Sequence, residues 1–226
     1  MRDDSMLTTL TGARDEPRSL VDQAFLQLQD RLIFLDIPPG SPINEGRLSQ
    51  ELQVGRTPLR EALKRLESDH LVVTYPRRGT FATTVDITAL SEISQVREVL
   101  EPLAARLAAE RRGGGSRALL EELQEKLRSR GDDRLDRDEA LRWDIRVHRA
   151  VYAAAGNAHL QATLDRYSNL ATRIWCVVAD RIPQLHEHIA VHSALLAAVL
   201  DGDPERAAAV MADHVRDFET QIRQVL

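Results

Sequence analysis

The stretch from Arg47 to Phe81 constrains the fold more than any other. Leu48, Leu52 and Val54 fit a short amphipathic helix and its exit. Thr57 is predicted to cap the next helix, with Pro58 at its first position, where no N–H is missed. Leu59, Leu63 and Leu66 then recur at helical spacing, leaving Arg56, Arg60, Lys64 and Arg65 at the start and outer side. Two β-like runs follow, around the basic turn Pro76-Arg77-Arg78-Gly79. Two short helices joined by a tight turn, the second opening with arginines, form the helix-turn-helix pattern. Its second helix enters the DNA major groove N-terminus first, where arginine bonds guanine bidentately or holds phosphates. Gly79 allows a close backbone approach to the duplex. The plainer alternative is a solvated helix whose arginines touch only water. The helix pair and the basic hairpin occurring together favour DNA.

The chain carries a net charge of −5, which would oppose nucleic-acid binding if spread evenly. Between Arg47 and Thr84, however, seven Lys and Arg face four Asp and Glu, leaving a local +3 and −8 elsewhere. A small basic head on an acidic body suits a sequence-selective binder better than a general nucleic-acid coat. At 226 residues and 43% hydrophobic, the chain can fold two modest domains. The single Cys176 rules out an internal disulfide framework. With no apolar run of membrane-spanning length and no signal-peptide pattern, a cytoplasmic location is expected.

The expected organisation is a polar tail over 1–17, a winged helix-turn-helix over 18–85 and an all-helical domain over 86–226. A helix is expected from Leu20 to Leu35, and Asn44 is positioned to cap the next. Beyond Val85 the periodicity is helical throughout, and the fold class is mainly α: a winged head followed by an antiparallel bundle of about six helices. Leu90, Ile93, Val96, Leu100, Leu103, Ala104 and Leu107 mark the stripe of a long helix, with Pro102 kinking or breaking it. Ser116 is expected to cap the next helix, Gly131 to Leu135 to form a loop, and Asp136 with Glu139 to form a capping box. Gly156-Asn157 and Gly202-Asp203-Pro204 serve as stops followed by new caps.

The body carries a second signal. Asp144 and His148 share the face of Leu141, Ile145, Val151 and Tyr152, and His192 sits on the face of Leu196 and Val199. His214 sits among Ala207, Met211, Phe218 and Ile222. One carboxylate and three imidazoles thus point inward from three helices. An unpaired buried carboxylate is costly, and a divalent cation (Zn, Ni, Mn or Fe) would satisfy all four groups at once. The alternative is four separate core polar groups, with Asp144 paired to Arg97 or Arg146. His188 is a rival ligand four residues before His192, while His159 and His186 are expected at the surface. A metal with an open position would accept a small carboxylate effector. Arg97, Arg173 and Asn169 are the candidates to hold its free oxygen. The same ligand set also suits a hydrolytic metal site. The lack of a placed general base and the DNA-reading head argue against an enzyme. A purely structural metal and a metal-sensing site are the other readings.

These residues resemble a known family. Leu52, Val54, Arg56, Thr57, Pro58, Arg60 to Leu63, Leu66, Glu67, Leu71, Val72, Arg78 and Gly79 match the winged helix-turn-helix of GntR-family bacterial regulators. The body resembles the FCD domain of the FadR subgroup through Arg97-Glu98-Val99-Leu100-Glu101, Asp144-x-x-x-His148, Ala155-Gly156-Asn157, His192-Ser193-Ala194-Leu195 and Met211-x-x-His214. The resemblance implies DNA contacts from Arg56, Thr57, Arg60, Arg78 and Gly79. Arg47 stands in for an arginine usual where Gly46 lies. It also implies metal ligation by Asp144, His148, His192 and His214, and a homodimer on a near-palindromic operator. A repressor released by a small organic acid is the expected function. The chain departs from the family pattern at Gly46, Gln53, Gly55, His70 and Val191.

Overall fold

The computed structural model describes residues 19–130, 136–182 and 185–226, with side chains described outside 130 and 183–190. The expected tail over 1–17, the expected Gly131–Leu135 loop, and the side chains of His186 and His188 lie outside the described residues. Two compact units divide between Ile87 and Thr88.

The first unit holds α1 (Leu20–Ile33), α2 (Glu45–Glu51), α3 (Arg56–Ser68) and an antiparallel pair, β1 (Val72–Tyr75) and β2 (Gly79–Ala82). Ser19 caps α1 by accepting from the Asp22 N–H, and Asn44 caps α2 by accepting from the Arg47 N–H. Ala24, Leu28 and Leu32 of α1 and Leu59, Ala62 and Leu66 of α3 are buried, and the two helices pack together. The exposed side is held by Arg65, which lies 2.6 Å from Asp22 and stacks over Phe25. Pro42 bridges to Phe81 beside the hairpin.

Some local expectations fail. Thr57 does not cap α3: the helix begins at Arg56 with Gly55 as its N-cap, so Thr57 and Pro58 are the second and third helical residues. Glycine tolerates the extended cap conformation nearly as well as a hydroxyl residue, and the proline still falls in the first turn, where its missing N–H costs nothing. The Leu100–Leu103 side of the long body helix is also not the buried one, as described below.

Gln53 and His70 both adopt left-handed backbone, with φ of 53° and 58°. These are the positions where the resemblance leads one to expect glycine, and the backbone supplies the reason. A side chain there strains against its own carbonyl by roughly 1–2 kcal/mol. Gln53→Gly and His70→Gly should each stabilise the head by about 0.5–1 kcal/mol after glycine's greater unfolded-state entropy is counted. Urea titration measures this, and a loss of stability would contradict it.

The second unit contains six helices among the described residues: α4 (Leu90–Glu110), α5 (Arg117–Arg130), α6 (Arg137–Ala154), α7 (Ala158–Val178), α8 (Leu185–Asp201) and α9 (Pro204–Val225). Asp136, Asn157 and Asp203 cap α6, α7 and α9, each accepting a backbone N–H three residues on. Ser116 instead ends a 3-10 turn, Gly114–Ser116, that leads into α5. Pro102 lies inside α4 without ending it.

The buried side of α4 is Leu90, Ile93, Ser94, Arg97, Glu101, Ala104, Ala105, Ala108 and Ala109, so the expected stripe holds at Leu90, Ile93 and Ala104. Val96, Leu100 and Leu107 are only half buried, and Leu103 is 42% exposed. Small residues win the inner face because α4 packs against α6, α7, α8 and α9, and alanines let those helices approach closely. The main core joins Ala105, Ala108, Leu120, Leu123, Trp143, Val147, Leu196, Val199, Met211 and Val215. Arginines after α4 fasten the far ends of other helices. Arg111 donates to the Ala155 carbonyl, Arg112 to Asp201 O at 3.0 Å, and Arg117 to Leu200 O at 3.3 Å. These bonds satisfy carbonyls that a helix leaves open at its C-terminus.

Candidate functional site

In the head, Arg56 and Thr57 are exposed at the start of α3, and Arg78 and Gly79 are exposed at the hairpin turn. Gly79 has φ of 93°, which a side chain would resist, and a Cβ there would meet nothing within 4 Å. The glycine therefore answers to backbone conformation, not to crowding. Arg60 is exposed one turn further along α3, with Nε 2.8 Å from Glu45 of α2. Arg47 is exposed and lies 2.5 Å from Glu51, which Arg31 also meets at 2.8 Å. Those two guanidiniums hold the Glu51 carboxyl below its usual pKa. Surface pairs of this kind are weak and readily exchanged for a phosphate.

In the body, Asp144 and His148 of α6, His192 of α8 and His214 of α9 converge. All four are buried, and each offers one ligand atom within 4.8 Å of the others. His148 Nε2 lies 3.0 Å from His214 Nε2, and His192 Nε2 lies 3.2 Å from the same atom. Asp144 Oδ1 is 3.6, 3.4 and 3.5 Å from the Nε2 atoms of His148, His192 and His214. Spacing alone explains part of this. Asp144 and His148 are one helical turn apart, so they project side by side. The other two imidazoles arrive only because α8 and α9 pack against each other and α8 against α6.

This donor set fits a metal ion. Atoms each about 2.1 Å from one centre stand roughly 3.0 Å apart at right angles and roughly 3.4 Å apart at tetrahedral angles. The observed separations span those values. Three imidazole nitrogens facing one another around a carboxylate oxygen, away from water, can be satisfied by shared protons or by one cation.

A further layer lies behind these atoms. Glu101, fully buried, has Oε1 2.5 Å from Arg97 Nε and Oε2 2.7 Å from His148 Nδ1. The Tyr152 hydroxyl is 3.0 Å from the same His148 nitrogen. Burial alone would raise the Glu101 pKa, but the Arg97 guanidinium and the His148 ring outweigh it and hold the carboxyl down to about 2. For His148 burial opposes the charged form, yet the Glu101 and Asp144 carboxylates prevail and raise its pKa.

The three effector candidates are placed differently. Arg97 joins the cluster through Glu101 and stacks over Phe218, 4.8 Å from the ring centroid. Its Nη1 is buried with no hydrogen-bond partner among the described residues. Asn169 is buried and its Oδ1 accepts from Arg149 at 2.8 Å. Arg173 is fully buried, and burial lowers its pKa to about 10. His159 is exposed, as expected. Cys176 is far from ordinary thiol reactivity, because burial pushes it up to about 12. Sequence reasoning missed Glu101 as a site residue and placed Tyr152 only as core. The available signal was the four-residue spacing of Arg97 and Glu101, which puts the two on one helix face.

Comparison with known proteins decides the family. Residues 92–217 match the FCD domain, and residues 20–82 match the bacterial regulatory proteins of the gntR family. The chain belongs to the GntR family, in the branch that carries an FCD domain. As a GntR regulator it is a DNA-binding transcriptional regulator, and the related families are regulators, not enzymes. It is 28% identical over 189 residues to the Nta operon transcriptional regulator of Aminobacter aminovorans, covering 83% of this chain and 87% of that one. It is also 28% identical over 214 residues to the galactonate operon transcriptional repressor of Escherichia coli, covering 84% and 91%. The solved structure of E. coli McbR/YncC aligns with a TM-score of 0.73 at 25% identity, covering 92% of this GntR protein and 99% of that chain. No helix among its described residues is long and apolar enough to cross a membrane.

Proposed function

We propose that this GntR-family protein is a repressor whose operator affinity is set by a small carboxylate bound at a divalent metal site in the helical body. The observation that carries the reading is the convergence of Asp144 Oδ1 with the Nε2 atoms of His148, His192 and His214 in a buried core. These four residues hold the ion, with Zn, Ni, Mn and Fe all compatible with one oxygen and three nitrogens. A metal bound there supplies a Lewis-acidic position for a carboxylate oxygen. Arg97 receives the effector's other oxygen on Nη1, the buried donor left over from its pair with Glu101. Asn169 and Arg173, buried on α7, which packs against α4, are assigned the remaining effector contacts. The galactonate operon repressor among the relatives is named for a carboxylate, which supports this chemical class.

In the head, Arg56, Thr57 and Arg60 meet the major groove from the start of α3. Arg47 holds backbone phosphate from α2, and Arg78 with Gly79 forms the wing contact. A homodimer in the cytoplasm presents two such heads to a near-palindromic site. Control requires only that the effector bind one arrangement of the dimer more tightly than the other.

The test is metal analysis of protein purified without chelators, with thermal melting against a panel of small carboxylates. One ion per chain and a melting rise with one acid class are expected, followed by release of operator DNA at the same acid concentrations. A metal-free protein that gains no stability from added metal or acid would refute the site. Melting raised by metal with no response to any acid would make the ion structural. Operator binding that tracks free metal alone would make the ion the signal.

A further inference from the structure

We infer that Glu101 is a positioning residue for the metal site, fixing the ring of His148 so that Nε2 faces the ion, with Arg97 fixing Glu101 in turn. The inference rests on the metal reading above and extends it to residues outside the four donors. An imidazole offers two nitrogens to a metal, and the partner of one decides which the other becomes. Here Nδ1 lies 2.7 Å from Glu101 Oε2, while Nε2 lies 3.0 Å from His214 Nε2 at the centre of the cluster. The ring is thus turned with Nδ1 toward Glu101 and Tyr152 and Nε2 toward the other donors, the orientation a metal ligand needs.

The arrangement is specific to glutamate. Oε1 accepts from Arg97 Nε at 2.5 Å, and Oε2 lies 2.7 Å from His148 Nδ1 as a close polar contact without hydrogen-bond alignment, so each oxygen faces a different side chain. Glutamine offers one acceptor and one donor, and so serves only one of the two. Aspartate keeps both oxygens but is one methylene shorter. A buried ion pair with Arg97 alone would need a single oxygen; the second oxygen beside a ligand ring is what distinguishes a positioning role. The Tyr152 hydroxyl, 3.0 Å from Nδ1, shares the work without supplying charge. The link also joins the metal to Arg97, so metal and carboxylate effector act on one chain of contacts.

The experiment uses the full-length protein with zinc alone as the probe, titrated against a chromophoric chelator, beside melting of each metal-free variant. Glu101→Gln is expected to weaken zinc binding about 10–100-fold, with a cooperative metal-free melt. Tyr152→Phe is expected to weaken it less. In the zinc-loaded wild type, nitrogen-15 spectra should show the His148 ring protonated at Nδ1, with that proton shifted on Glu101→Gln. Zinc affinity within twofold of wild type would overturn the proposal. Should Glu101→Gln fail to melt cooperatively, Arg97→Met combined with Glu101→Leu removes both buried charges together and is read the same way. Wild type that takes up no zinc would overturn the metal reading itself. That outcome is distinct from wild type and variant binding zinc equally.

Discussion

His192→Ala is expected to lower zinc affinity by more than about 100-fold, beyond the 10–100-fold typical of losing an outer partner. His192 supplies one of four donors, and its ring is fully buried with Nε2 3.4 Å from Asp144 Oδ1. The three donors left behind would hold an ion in an open, water-accessible set. Some of the loss will appear in the metal-free protein too, because truncating a buried ring leaves a void costing about 1–3 kcal/mol. Chelator competition on the wild type and variant, referenced to their metal-free melting, separates the two effects. An unchanged metal ratio would transfer the ligand role to His188, one turn earlier on the same helix.

Arg60→Ala should weaken operator binding about 10–100-fold for each half-site contact, with the fold intact. The side chain is exposed and its ion pair with Glu45 is of the surface kind. Losing that pair costs at most about 1 kcal/mol. The pattern of the loss tells how the arginine acts. A guanine contact relaxes preference at one operator position, whereas a phosphate contact weakens all sequences alike and reduces the salt slope by about one. Titrating operator and scrambled duplexes at several salt concentrations reads both. Unchanged affinity would remove Arg60 from the DNA surface.

Much of the architecture was legible because it depends on local chemistry. Asn44, Asp136, Asn157 and Asp203 each cap the helix expected of them, since a short acceptor side chain before an apolar run has few other uses. The cap of α3 was misplaced for a related reason: Gly55 has no side chain to advertise the role, and Thr57 two residues on has the preferred one. The donor set was legible because four polar residues stood on otherwise apolar helical faces. The inner face of α4 was legible only in part. The stripe held at Leu90, Ile93 and Ala104 but not at Leu100 and Leu103, because close helix approach in the second half of α4 favours Ala104, Ala105 and Ala108. Glu101 was hidden because it entered only as part of a resemblance run and was given no partner. Only the three-dimensional packing of α4 on α6 brings it to His148.

The donors are far apart along the chain: His148 and His214 are separated by 66 residues, and His192 and His214 by 22. In an unfolded chain these groups wander independently, and no short segment presents more than Asp144 and His148. An ion held by all four would therefore be recruited late, once α6, α8 and α9 have found one another. It would then work as a staple across two large loops. Closing the longer loop costs only about 1 kcal/mol more entropy than closing the shorter one. The body should accordingly fray last where the three helices meet, and amide hydrogens around the donors should exchange with solvent more slowly in the loaded protein than at its helix ends.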